Sequence, residues 1–162
     1  MRTGAALAVF SLMTLAACSS APETQAPTPA PKTAAAPAPE PVKDHTSLFP
    51  DAGKVSTSVV PDHLLDMKAL PGGSLAEYNV KGTKYQEFIV DADSPQAATF
   101  LMLDVKAQLK NPEYISWMGG YSGMYGDKPL YCFAKLHYLA GIVGLPQAKA
   151  DPLGRTLAAQ LH

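Results

Sequence analysis

This 162-residue chain is short of the residues that carry most recognisable chemistry. It holds two cysteines, one tryptophan and four histidines, and its aromatic content is only 8%, so any cluster of aromatics stands out. The histidines, His45, His63, His137 and His162, show none of the short paired spacings of a zinc site. Basic charge is not in excess either. From His45 onward ten basic side chains meet eleven acidic ones, a net of −1, which leaves no electrostatic footprint for nucleic acid and excludes it as a partner. No internal repeat is visible, and no Ser/His/Asp or Cys/His order can be singled out as catalytic. No cofactor or metal is implied.

The first residues are organised differently from the rest. Met1 to Ala17 carries one positive charge at Arg2, an apolar run from Ala5 to Leu15 and small residues before Cys18, the layout of a secretory signal peptide. The run is too short to cross a membrane, which takes roughly 20 apolar residues. Leu15-Ala16-Ala17-Cys18 resembles the lipobox of bacterial lipoproteins, in which the cysteine becomes the lipidated first residue of the mature chain. That resemblance covers residues 1–18 only. It implies an acylated Cys18 held in the lipid bilayer by more than one fatty chain, which anchors stably where a single chain does not. Ser19 is not the aspartate that marks inner-membrane retention in the best-known version of the family, so the resemblance implies the periplasmic face of the outer membrane.

Residues 18–44 form the next section. Ser19 to Lys43 contains seven prolines among Ala, Thr, Glu and Lys and no aromatic residue, and such a tract cannot bury enough apolar surface to fold. In polyproline-II form, at about 3.1 Å per residue, it is a tether reaching up to roughly 75 Å. Residues 45–162 are then a single globular domain, long enough to bury a core unaided. With Cys18 acylated, Cys132 is the only thiol of the mature domain, and its strand-like surroundings predict a small buried hydrophobe.

The domain reads as α+β. Lys54 to Val60 is β-prone and ends at Pro61; Asp62 to Leu70 is a short helix with Leu64, Leu65 and Met67 inward; Pro71-Gly72-Gly73 is a turn. Ser74 to Val80 and Tyr85 to Val90 form a hairpin around Lys81-Gly82-Thr83-Lys84. Ser94-Pro95 opens the clearest helix, which stops before Asn111-Pro112 and presents Ala97, Ala98, Leu101, Met102, Val105 and Leu109, widened by Phe100 and Leu103, to the sheet. Three more β-prone runs follow, Tyr114 to Gly120, Leu130 to Lys135 and Tyr138 to Val143. A closing helix begins at Asp151-Pro152 and carries Leu153, Leu157 and Leu161. The expectation is a two-layer domain, a mostly antiparallel sheet of about five to six strands with two main helices on one face.

Gly119 to Lys128 reads as a glycine-rich loop with aromatics around it. Trp117, Tyr121, Ser122, Tyr125 and Asp127 are the candidate binding surface, because aromatic faces stack on sugars or peptides and glycines let a ligand approach the backbone. The loop is neither a dinucleotide fingerprint nor a nucleophile elbow, since the Gly-x-Gly pair is missing and Met124 stands where the second glycine would be. Two function classes follow. One is a non-enzymatic module binding an envelope protein or peptidoglycan; the other is a small-ligand or hydrolytic domain using Asp91, Asp93 or Asp127. Asp91 and Asp93 would need a third oxygen ligand to hold Ca2+ or Mg2+, and acids before a helix are already accounted for by its exposed amides.

Overall fold

Tyr138-Leu-Ala-Gly-Ile-Val143 contains no charged residue, and all six of its residues are buried. A strand hidden on both sides has to lie inside a sheet covered on both faces. The computed structural model, which describes residues 41–162, has that arrangement. The expected signal peptide, Cys18 and most of the expected tether lie outside the described residues.

The sheet has seven strands, all paired antiparallel: β1 (Lys54–Asp62), β2 (Pro71–Val80), β3 (Thr83–Asp91), β4 (Lys110–Ile115), β5 (Gly120–Tyr125), β6 (Lys128–Lys135) and β7 (Tyr138–Val143). Their spatial order is β1-β2-β3-β7-β6-β5-β4. Helix α1 (Pro95–Gln108) carries the chain from the end of β3 to the far edge, and the meander β4 to β7 then returns until β7 closes on β3. Helix α2 (Gln147–Gln160) follows. The α+β class, the antiparallel sheet and the two helices agree with the sequence; the count of five to six strands does not.

The helices also lie on opposite faces, not on one. Along β6 the side chains alternate. Tyr131 and Phe133 pack with Leu157 of α2 and Leu161 just after it, while Leu130 and Cys132 pack with Met102 and Val105 of α1 and Leu109 just after it. A period of two sends neighbours to opposite sides, so the four consecutive buried residues of β6 require a cover on each.

Local chemistry explains the remaining differences. Ser94 caps α1, its Oγ accepting the Ala97 amide at 3.1 Å. Ala98, Met102 and Val105 of α1 are buried, but Phe100 stays 65% exposed and Leu103 42% exposed. At 100° per residue Phe100 is about 200° round the helix from Ala98, outside the stripe that a sheet can touch. β1 runs on through Pro61, which an edge strand tolerates. Only Leu64–Asp66 form a 3-10 turn in the span expected to be a short helix, and Pro71-Gly72-Gly73 belongs to β2. A side chain at Gly72 would press on the Val60 and Pro61 carbonyls at 2.4 Å, so the glycine serves close strand pairing instead of a turn. The chain reverses between β1 and β2 through His63, Leu65 and Asp66, all at left-handed φ. Helix α2 starts four residues before Asp151, leaving Pro152 within it at a point where its missing amide would have met exposed Ala148.

Candidate functional site

The segment Gly119 to Lys128 is largely strand, not loop. Gly120–Tyr125 form β5, and a two-residue turn at Gly126-Asp127 leads into β6. Alternation along β5 therefore separates the residues that looked like one surface. Ser122 is buried on the α2 face and its Oγ lies 2.6 Å from Gln147 Oε1 in the first turn of α2. Tyr121 and Tyr125 pack against the cluster on the α1 face. Tyr121 lies under the Lys106 ammonium, 4.5 Å from ring centroid to Nζ, and edge-on to Tyr114.

Trp117 is also engaged internally. Its indole donates to Asp151 Oδ1 at 2.5 Å, Tyr131 donates to the same oxygen at 3.1 Å, and Arg155 reaches Asp151 Oδ2 at 3.1 Å while its guanidinium lies 3.5 Å over the indole ring. Burial alone would raise the Asp151 carboxyl, but these donors outweigh it and hold it below its ordinary range. The four side chains clasp the start of α2 to the sheet.

Cys132 is fully buried, as expected, and burial pushes its thiol up to about 12, so it stays a neutral, unreactive hydrophobe at neutral pH. Asp91 and Asp93 share a partner, Lys43, whose Nζ lies 3.1 Å from Asp91 Oδ2 and 2.6 Å from Asp93 Oδ1, but Asp127 does not join them. Asp91 ends β3, with Asp93 just beyond, whereas the register through Leu130, Val143 and Gln86 places the Asp127 turn about three residues past the level of Gln86, roughly 27 Å down the sheet from Asp91 at about 3.4 Å per residue.

Around Asp91 the fold assembles three basic side chains that lie 46 or more residues from it in the sequence. Its Oδ2 lies 3.1 Å from Lys43 Nζ, 3.1 Å from His45 Nε2 and 4.0 Å from His137 Nε2, and its Oδ1 accepts the Asp93 amide at 2.9 Å. Burial raises the Asp91 carboxyl; the Asp93 amide, Lys43 and His45 more than offset it and leave it lowered. His45 also donates its amide to buried Ser74. Held through both oxygens, Asp91 fastens residues 43–45 to the end of β3. Among the described residues no group of three or more His, Cys, Asp or Glu could hold a metal ion, and no helix is long and apolar enough to cross a membrane.

A groove of about 490 Å³ opens on the α1 side, between the β1–β2 connection and the β5–β6 turn. Val60, Leu65, Leu75 and Val143 give it an apolar floor. His63, Asp66, Gln86, Asp127 and Lys128 add polar groups of both charges, and Tyr125 crosses it to donate to the Asp66 carbonyl at 3.2 Å. His63, Leu65 and Asp66 have φ of 51°, 60° and 58°, and left-handed non-glycine residues gather where a backbone is held for binding. Of the residues singled out from the sequence, Tyr125 and Asp127 belong to this groove. His63 and Asp66 were not legible as site residues, because only the reversal of the chain after β1 brings them opposite the β5–β6 turn. No family model, curated protein or solved structure matches this chain.

Proposed function

We propose that the chain is a lipid-anchored protein of the bacterial envelope, tethered through Cys18, whose globular domain is a non-enzymatic binding module using the groove beside Tyr125. The observation that carries the binding reading is the groove itself, an apolar floor with convergent polar groups over a strained backbone, the composition of a ligand site. The hydrolytic alternative lacks a comparable basis, since Asp91 is engaged by Lys43, His45 and the Asp93 amide and Asp127 lies far from it. An open groove with both charges suits an extended peptide of an envelope protein or a short stretch of peptidoglycan.

Co-sedimentation with purified peptidoglycan, together with capture from solubilised envelopes, tests the groove. The bound fraction should fall about tenfold for the double variant Tyr125→Ala, Asp127→Ala, equivalent to about 1.4 kcal/mol, and stay unchanged for Tyr121→Ala, which lies outside it. Equal binding by all three proteins removes the groove from the account. The anchor is tested separately. Cys18→Ala should move the protein from the membrane fraction to the soluble one, and mass spectrometry of the wild-type N-terminus should find an acylated Cys18. A wild-type chain that keeps Met1 would contradict the lipobox reading.

A further inference from the structure

The sheet has two free edges, and they are built differently. The edge strand β4 carries Lys110, Pro112 and Glu113, an irregular register between Lys110 and Glu113, and left-handed φ at Asn111. A charge inside the strand, here Glu113, distinguishes the two edges and keeps β4 from templating another strand, since β1 shares with β4 a proline, at position 61, and a register irregularity, between Lys54 and Ser56. The opposite edge, β1, has no charged residue between Lys54 and Asp62. Its residues 55–59 are all exposed, Val55 at 66% and Val59 at 40%. Among the described residues no further strand lies beyond it, so one side of its backbone donors and acceptors is unpaired within that sheet.

The sequence of that bare edge is self-complementary. Val55-Ser56-Thr57-Ser58-Val59 reads the same in both directions. Two copies set antiparallel about a two-fold axis through Thr57 place Thr57 opposite Thr57, Ser56 opposite Ser58 and Val55 opposite Val59 of the second copy. Valines then meet valines and hydroxyls meet hydroxyls, pairs that stabilise neighbouring strands. Lys54 falls diagonal to Asp62 of the second copy, within reach of a long side chain and opposite in charge. The pairing irregularity between Lys54 and Ser56 falls at Val55, at one end of the segment, and Pro61 lies beyond the other end, which limits sliding to other registers.

We propose that β1 is a self-pairing edge through which two copies of this chain join their seven-stranded sheets into one. The two-fold contact is isologous, each copy presenting the same patch. A strand edge buries less than the roughly 1,200 Å² of a standard interface, so the association belongs to the weak class, with a dissociation constant on the order of 100 μM.

Sedimentation equilibrium of the full chain in detergent, from micromolar to millimolar concentration, should show a monomer–dimer equilibrium. Thr57 is exposed, so Thr57→Lys and Thr57→Glu should keep the wild-type circular dichroism and melting midpoint. Each variant alone should dimerise at least about tenfold more weakly, because like charges meet at the axis, and an equimolar mixture of the two should recover dimerisation. A chain monomeric throughout the range overturns the proposal, as does a dimer indifferent to both variants. Loss of dimer in each variant without recovery in the mixture overturns the register about Thr57.

Discussion

Glu87→Gln is expected to stabilise the domain by about 3 kcal/mol at pH 8 and to change little at pH 4.5. Glu87 lies in the middle of β3, paired with Ala76 of β2 and Ile142 of β7, and is 2% exposed. Its Oε2 has no hydrogen-bond partner. The nearby Tyr78 hydroxyl donates to the Pro50 carbonyl at 2.7 Å, and the Lys54 ammonium is drawn to Asp51 at 2.7 Å. Burial pushes the Glu87 carboxyl up from 4.5 to about 7, more than Tyr78 and Lys54 pull it down. The sign follows from linkage. Below 4.5 the group is protonated in both folded and unfolded chains and costs nothing; between 4.5 and about 7 only the unfolded chain ionises, and stability is lost until the folded state ionises too. At 1.36 kcal/mol per pH unit the loss amounts to about 3 kcal/mol. Glutamine has the same shape and no charge, so it should remove that slope. Urea titrations at pH 4.5 and pH 8 measure it, and a gain of the same size at both pH values would contradict the assignment to a buried ionisable group.

Gly141→Ala should destabilise the fold by at least about 3 kcal/mol, enough to lower the soluble yield. Gly141 lies in β7 between Phe88 of β3 and Cys132 of β6. A methyl group there would sit 2.2 Å from the Tyr131 carbonyl oxygen and 2.7 Å from the Phe88 ring. The carbonyl belongs to the backbone of a central strand and Phe88 is fully buried, so neither has room to withdraw. An unchanged urea midpoint in the variant would show that β7 does not pass as closely over β6 as described.

Several parts of the architecture are legible in a single sequence because their causes are local. The start of α1 rests on Ser94 and Pro95, adjacent residues whose chemistry acts within one turn. The β2–β3 hairpin rests on Lys81-Gly82, and the burial of Cys132 on its apolar neighbours. The misreadings have local causes too. β5 is hidden because its glycines imitate a loop, whereas Gly120 is there to admit the β6 backbone, with a Cβ falling 2.1 Å from the Cys132 carbonyl. Helices on both faces were signalled by the unbroken apolar runs of β6 and β7, which a sheet with one wet face does not tolerate.

The candidate site was legible only in part. Aromatic composition pointed to Trp117, Tyr121 and Tyr125, yet the fates of these residues differ with their partners. Trp117 is committed to Asp151 and Arg155, 34 and 38 residues away, and Tyr121 to Lys106, while Tyr125 faces the groove.

By itself the sequence determined the class of the domain, the two helices, most of the strands and the burial of Cys132, since each follows from caps, turns and the alternation of neighbouring side chains. Tertiary structure alone decided which face each helix covers, that Lys43, His45 and His137 gather on Asp91, that a groove opens beside Tyr125, and that Glu87 is buried without a full set of partners. Those outcomes depend on strand order and register, which bring together residues dozens of positions apart and leave no short-range pattern in the chain.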